Sequence, residues 1–132
     1  MEINITYDNS RVPVTIFHIT GDIDAATHEQ LGNAARQAID SGTRCLLLDL
    51  KDVPYVSSYG VRTLTDIFNW LRDCDAGEDD AALSKGLREG NFRSHRLKLA
   101  NLNPQVARTL KTMGVDMYID ILPDTRQALA AF

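Results

Sequence analysis

The stretch "CLLLDLKDVPYVSSYGVRTL", from Cys45 to Leu64, joins a nearly continuous apolar run to an amphipathic segment through a short loop. A short apolar run of this kind is typical of a strand that is buried on both faces of a parallel sheet. After the loop, apolar residues recur at helical spacing, at Val61, Leu64, Ile67, Phe68 and Leu71. The stretch therefore predicts a central strand followed by a helix that begins near Ser57 or Ser58.

Strand and helix patterns alternate on both sides of this stretch. Before it, period-two alternation interrupted by a turn signal predicts an N-terminal hairpin. The other predicted elements are strands at 1–7, 12–20, 97–99 and 117–122 and helices at 27–39, 104–113 and 125–132. Strands that alternate with helices imply a mainly parallel sheet. We therefore predict an α/β fold in which the hairpin precedes βα units, with a mainly parallel mixed sheet of about five strands and about four helices.

Local signals add detail to these elements. Thr27 with Gln30 has the spacing of a capping box at the start of the first helix. Asp124 with Gln127 has the same spacing at the start of the last helix. Lys98 lies between two leucines, which predicts that its strand has one face exposed to solvent.

The totals for the chain limit what it can be. Its 132 residues suit one compact domain, and its 44% apolar residues can form a core. A net charge of −4 argues against a nucleic-acid surface, and no apolar run is long enough for membrane insertion. The N-terminus lacks the pattern of a secretion signal, and Cys45 and Cys74 form no CxxC or metal-ligand spacing. These features predict a cytoplasmic protein with reduced thiols.

Residues 74–94 interrupt the regular alternation of strands and helices. An acidic cluster around 73–80 is followed by basic residues, among them Lys85 and Arg88. The segment is too long for a routine connection between a helix and a strand. We interpret it as a solvated, charged insertion in a single domain that spans residues 1–132, with a partner-contacting arm as the alternative.

The adjacent Ser57 and Ser58 have three competing uses at the start of a helix. A serine can cap the helix by accepting a backbone N–H bond, which contributes about 1 kcal/mol. The second use, as a catalytic nucleophile, is disfavoured. Val56 replaces the first glycine of a G-x-S-x-G elbow, and no histidine has a spacing that compels a catalytic triad. The third use, in which one serine accepts a phosphoryl group, stays open. The helix dipole tolerates the added charge, which would repel a docking partner without unfolding the domain.

Asp22 and Asp24 lie in the loop that follows the second strand. The carboxyl ends of parallel strands meet at one rim of a sheet, where functional groups gather. If the second and third strands are parallel, the two aspartates share one surface with Ser57 and Ser58. Two carboxylates without further ligands indicate a turn rather than a metal site. The chain has no Walker loop or GxGxxG motif, so we expect no cofactor.

Three segments resemble the STAS domain family of anti-sigma factor antagonists: "ITGDIDAAT", "CLLLDLKDVPYVSSYGVRTL" and "LANLNPQVARTLKTMGV". The first is similar to the family's G-E-L-D segment. The second is similar to its D-S-S-G-L segment, in which Ser58 falls on the phosphorylated serine. The resemblance implies a non-enzymatic STAS domain that binds an anti-sigma factor serine kinase. That kinase would phosphorylate Ser58 and end the interaction, and a PPM-type phosphatase would restore it, so that sigma-factor-dependent transcription is regulated.

The same resemblance implies a partner-binding surface made of Asp22, Asp24, Ser57, Ser58, Tyr59, Gly60 and Val61. The family has an aspartate before the phosphoserine, whereas this chain has Ser57, which leaves Ser57 open as the acceptor. The insertion before Leu97 is a second departure from the family pattern. Two other functions stay open at this point: a non-switched STAS scaffold or accessory subunit of a signalling complex or lipid transporter, and a serine-dependent enzyme.

Removal of the insertion tests its interpretation. A variant that lacks residues 76–90 should keep the fold and nearly full affinity for the partner, because a solvated loop contributes little to either. Circular dichroism and titration calorimetry with the partner measure the two quantities. A large loss of affinity in a folded variant would instead show that the insertion contacts the partner.

Overall fold

A five-stranded sheet forms the centre of the fold in a computed structural model that describes residues 1–74 and 96–132. The strands are β1 (Glu2–Asp8), β2 (Val14–Thr20), β3 (Leu46–Asp52), β4 (Leu97–Ala100) and β5 (Asp120–Leu122). The helices are α1 (His28–Asp40), α2 (Ser58–Asp73), α3 (Pro104–Thr112) and α4 (Thr125–Ala131). The strand order is β1-β2-β3-β4-β5, with β1 antiparallel to β2 and the other pairs parallel. The predicted α/β architecture is confirmed. The predicted insertion at 74–94 lies almost wholly outside the described residues.

The core lies on both faces of the sheet. β3 is its centre: Leu46, Leu47 and Leu48 are fully buried, as the apolar run predicts. One face packs against α1, α2 and α3 in the larger of two apolar clusters. The other face packs against α4, where Ala128 joins the smaller cluster. None of the helices in residues 1–74 and 96–132 combines the length and the apolar character that crossing a membrane requires.

Lys98 corrects one expectation about β4. Its predicted exposed face is wrong, because Lys98 retains only 2% of its accessible surface. The Lys98 ammonium forms an ion pair with Asp120 Oδ2 at 2.9 Å and lies 5.2 Å from the centre of the Phe132 ring. The C-terminal helix and the residue after it therefore cover a face that alternation along β4 alone assigns to solvent.

The last strand is also shorter than the predicted 117–122. Gly114 adopts a left-handed backbone with φ of 79°, which ends α3 and leads into a 3-10 turn at Val115–Met117. Tyr118 then packs edge-on against Phe68, with the ring centres 5.2 Å apart. Because this turn brings Tyr118 against α2, only Asp120–Leu122 pair as a strand.

The two predicted caps have different outcomes. Asp124 caps α4 as expected, since its Oδ1 accepts a 2.8 Å hydrogen bond from the Gln127 N–H. The prediction of a capping box at Thr27 is wrong, because the Thr27 side chain makes no capping hydrogen bond. The Thr27 hydroxyl donates to the Asp22 carbonyl oxygen at 2.6 Å and accepts from the Asp24 N–H at 3.0 Å. It closes the preceding loop and leaves the first turn of α1 without a side-chain cap.

Asp49 is a partly buried carboxylate on the α4 face of β3. It accepts hydrogen bonds from His18 Nδ1 at 2.8 Å, from Asn101 Nδ2 at 2.9 Å and from the Lys51 N–H at 3.1 Å. Burial raises the pKa of Asp49, but these hydrogen bonds together outweigh burial and hold the pKa below its ordinary value of 3.8. The folded state therefore favours the ionised carboxylate.

The pH dependence of stability tests this assignment. Because the pKa of Asp49 is lower in the folded state, its stabilisation is present above about pH 4 and is lost as pH falls through the folded value. Asp49→Asn should lower the free energy of unfolding at neutral pH by about 2 kcal/mol, as for hydrogen bonds to a charged group. Urea denaturation should show the difference from wild type shrinking below about pH 4. A difference that stays constant with pH would contradict the assignment.

Candidate functional site

The loops that follow β2 and β3 are joined by backbone hydrogen bonds at the carboxyl rim of the sheet. The Gly21 N–H donates to the Asp52 carbonyl at 3.0 Å, and the Ile23 N–H donates to the Tyr55 carbonyl at 3.0 Å. The Ser57 N–H donates back to the Ile23 carbonyl at 2.9 Å. We call these three bonds the loop ladder. It continues the parallel pairing of the strands beyond their ends, and it places both loops on one rim.

The two serines at this rim have different environments. Ser57 is the N-cap residue of α2, yet its side chain makes no capping hydrogen bond. The Ser57 Oγ is buried and has no hydrogen-bond partner among residues 1–74 and 96–132. Ser58 is the first residue of α2 and is exposed. Of the two hydroxyls, that of Ser58 is therefore the one open to an enzyme from solvent.

Asp22 and Asp24 lie beside the serines on the joined loops. Asp22 is exposed, whereas Asp24 is half-buried. Asp24 Oδ1 accepts the Ala26 N–H at 2.9 Å, and the Asp24 carbonyl accepts the His28 N–H at 2.9 Å. Asp24 thus shapes the turn into α1. In the part of the chain that the structure describes, no three His, Cys, Asp or Glu side chains are grouped to hold a metal ion.

Two tyrosines flank Ser58 and expose much of their surface. Tyr59 is 52% exposed, and its ring centre lies 5.4 Å from that of His28. Tyr55 is 43% exposed and lies in the loop ladder. The sequence analysis selected Tyr59 but missed Tyr55. The available signal was its position in the loop that leaves the central strand, since exposed tyrosines are frequent anchors of protein interfaces.

Gly60 and Val61 differ from the other predicted partner-binding residues because they are buried. A Cβ on Gly60 would lie 2.7 Å from the Ile23 carbonyl oxygen and 2.7 Å from Val56 Cγ1. Val61 retains 8% of its surface and belongs to the main core. These two residues fix the start of α2 against the loops. Their contact with a partner stays a prediction.

The described histidines do not supply a base to Ser58. His18 bonds to Asp49 on the opposite side of the sheet from α2. His28 Nδ1 lies 3.2 Å from the Thr63 hydroxyl. Within residues 1–74 and 96–132, neither imidazole is hydrogen-bonded to Ser58, so neither of these histidines acts as the general base that would activate a serine nucleophile. His95 lies outside the described residues.

Comparison with known proteins identifies a matching family and matching folds. The family model described as the STAS domain matches residues 6–75. A search of the curated proteins gave no match. Among solved structures, a Thermotoga maritima protein provisionally described as an anti-sigma factor antagonist has a TM-score of 0.73 at 15% identity. That match covers 97% of this chain and 92% of the other.

Two further solved structures share the fold. An anti-sigma factor antagonist from Mycobacterium paratuberculosis has a TM-score of 0.70 at 18% identity, covering 98% of this chain and 93% of its own. The Bacillus cell fate determinant SpoIIAA in its phosphorylated form has a TM-score of 0.60 at 13% identity, covering 96% and 97%. SpoIIAA, an anti-sigma factor antagonist, also matches in its unphosphorylated form. At these identities the likeness establishes the fold.

The tight contact at Gly60 can be tested with a matched pair of glycine variants. Gly60→Ala should lower the free energy of unfolding by about 1–3 kcal/mol, because the new methyl group meets the Ile23 carbonyl and Val56. Gly32→Ala in α1 is the control. Its methyl would lie 3.6 Å from Thr63 Cγ2, an ordinary contact, so it should be neutral or stabilising by up to about 1 kcal/mol. Equal effects in thermal denaturation would contradict the packing account.

Proposed function

The chain belongs to the STAS domain family, and we propose that it is an anti-sigma factor antagonist whose docking is switched off by phosphorylation of Ser58. The observation that carries this proposal is the exposed Ser58 at the first turn of α2, on a rim built by the loop ladder. The partner would be an anti-sigma factor that is also a serine kinase. A PPM-type phosphatase would reverse the modification. The protein would act in the cytoplasm as a non-enzymatic regulator of sigma-factor-dependent transcription.

The names of the structural relatives support this direction. The Mycobacterium protein is an anti-sigma factor antagonist, and SpoIIAA exists in phosphorylated and unphosphorylated forms with the same fold. In this chain, a single domain over residues 1–132, with its insertion, would act as the anti-sigma factor antagonist. No nucleic-acid contact is needed, because the transcriptional effect would pass through the anti-sigma factor.

Ser58 is the better acceptor of the two serines. A kinase must bring the hydroxyl oxygen to the γ-phosphate, which requires an exposed side chain. Ser58 meets this requirement, whereas the buried Ser57 Oγ does not. Phosphorylation of Ser57 would require the start of α2 to leave its contact with the loop ladder, because the Ser57 N–H is bonded to the Ile23 carbonyl.

The charges at the rim explain how one phosphate could end docking. A phosphoserine adds about −1.5 to −2 charges. These would join the carboxylates of Asp22 and Asp24 on the same rim and of Asp52, the last residue of β3. The N-terminus of α2 stabilises an anion, so the fold itself would tolerate the phosphate. An acidic partner surface would be repelled, since like-charge contacts cost several kcal/mol, and an apolar partner surface would dock only at the cost of desolvating the phosphate.

The proposed docking surface combines acidic and aromatic side chains. Asp22 and Ser58 are exposed, Asp24 and Ser57 are half-buried, and Tyr59 presents half of its surface. Tyr59 and the neighbouring Tyr55 provide large, amphipathic anchors of the kind that dominates interface energetics. Gly60 and Val61 would contribute by fixing the helix start beneath this surface.

Mass spectrometry and affinity measurements test the switch. The protein isolated from its own cells should carry phosphate on Ser58 under some growth conditions, and the partner captured with it should have a histidine-kinase-like ATPase fold. Ser58→Asp should weaken binding to that partner at least tenfold in titration calorimetry, which corresponds to about 1.4 kcal/mol. Ser41→Asp, an exposed serine just after α1, is the control for added charge and should bind normally.

Two results would count against the switch. Absence of phosphate on both Ser57 and Ser58 under all growth conditions would favour a non-switched STAS scaffold or accessory subunit. A Ser58→Asp variant that binds its partner at full strength would rule out the proposed electrostatic switch. Labelling of Ser58 by an active-site serine probe would instead favour an enzyme.

A further inference from the structure

A chain of hydrogen-bonded side chains crosses three neighbouring strands on the α4 face of the sheet. Thr6 Oγ1 on β1 lies 2.9 Å from His18 Nε2 on β2, and His18 Nδ1 lies 2.8 Å from Asp49 Oδ2 on β3. The strand register produces this alignment. His18 pairs directly with Asp49, and Thr6 lies two residues from Asn4, which pairs with His18. We call these three side chains the relay.

The direction of each hydrogen bond in the relay follows from the charge of Asp49. An ionised carboxylate can only accept, so His18 Nδ1 must donate to Asp49. In the neutral imidazole the other nitrogen, Nε2, then carries a lone pair and must accept. While His18 is neutral, the Thr6 hydroxyl therefore donates a hydrogen bond to His18 Nε2. This is the arrangement by which a general base activates a hydroxyl nucleophile.

Asp49 is itself held in one orientation. The Lys51 N–H and Asn101 Nδ2 both donate to Asp49 Oδ1, which leaves Oδ2 directed at His18. Asn101 has a left-handed backbone with φ of 63°, and its Nδ2 also reaches Thr125 Oγ1 at 3.0 Å. An asparagine tolerates this conformation better than most residues. The unusual backbone places the amide between β3 and the start of α4.

We propose that Thr6, activated by His18 and oriented through Asp49, accepts an acyl group from an activated ester. The Thr6 oxygen attacks the acyl carbon, and a new ester bond forms as the bond to the leaving alkoxide or phenoxide breaks. His18 Nε2 takes the hydroxyl proton and returns it to the leaving group or to water. Nothing is oxidised or reduced. In this step Asp49 is a positioning residue.

The relay is open to small acyl donors and separate from the serine rim. Thr6 is exposed, and the His18 side chain retains 37% of its surface. Ser58 takes no part in the relay, so the outcome of the acylation experiment on Thr6 is independent of the proposed anti-sigma function. The structure thus assigns to this face a modification site that requires a donor but no second protein.

The probe is p-nitrophenyl acetate with the 132-residue chain, followed by peptide mass spectrometry. Thr6 should gain one acetyl group for each p-nitrophenolate released from that site, and faster than Thr20, an exposed threonine on β2 that serves as the internal control. His18→Gln should slow acetylation of Thr6 at least tenfold, since a general base contributes about 10²–10⁴-fold. Asp49→Asn should also slow acetylation of Thr6, and Thr6→Val should abolish acetylation at this position.

Circular dichroism confirms that each variant is folded before it is compared. If His18→Gln does not fold, Thr6→Ser replaces it, because a primary hydroxyl in the same relay should be acetylated at least as fast as Thr6. Three results would overturn the proposal: Thr6 unlabelled while surface lysines are acetylated, Thr6 labelled no faster than Thr20, or an undiminished Thr6 rate in folded His18→Gln.

Discussion

The loop ladder is the constraint on which the functional rim depends. Two loops that leave parallel strands would ordinarily be free to diverge, but backbone bonds from Gly21 to Asp52, from Ile23 to Tyr55 and from Ser57 to Ile23 hold them together. The side chain of Ile23 is fully buried beneath them. Buried backbone N–H and C=O groups need hydrogen-bond partners. The loop ladder provides these partners within the two loops and thereby also fixes the positions of the loops. The start of α2, and with it Ser58, is positioned by this pairing.

A fixed helix start gives adjacent serines different roles. Ser57 is the N-cap residue with an extended backbone and Ser58 is the first helical residue, so the two side chains face different surroundings although they are neighbours in sequence. The Ser57 oxygen is buried, whereas Ser58 faces solvent and has the exposed Tyr55 and Tyr59 on either side of it in the sequence. An electrostatic switch at Ser58 fits such a rim, because an added charge there can alter docking while the core underneath is unchanged. The Thr6 relay lies on the α4 face of the sheet, and Ser58 takes no part in it.

The sequence could predict the elements whose signal is local. The apolar run of β3, the helix spacing of α2 and the rule that parallel strands end at one rim together place the two loops side by side. Features that depend on distant residues could not be predicted. Lys98 is buried because Phe132, more than thirty positions later, covers it. Thr27 has the spacing of a cap, but its hydroxyl bonds to the preceding loop. Spacing could not distinguish Ser57 from Ser58 either, because their exposure depends on how the loops enclose the helix start.

Amide chemical shifts of the unphosphorylated and Ser58-phosphorylated chains test the central claim most directly, because they report on every residue that has a backbone N–H. If Ser58 is an electrostatic gate on a rigid rim, shift changes should be confined to residues 21–24 and 52–62. The remaining strands and the thermal midpoint should be nearly unchanged. Shift changes that spread through β3 and β4, or a loss of signal dispersion, would show that the phosphate acts by remodelling or unfolding the domain, and would contradict the account.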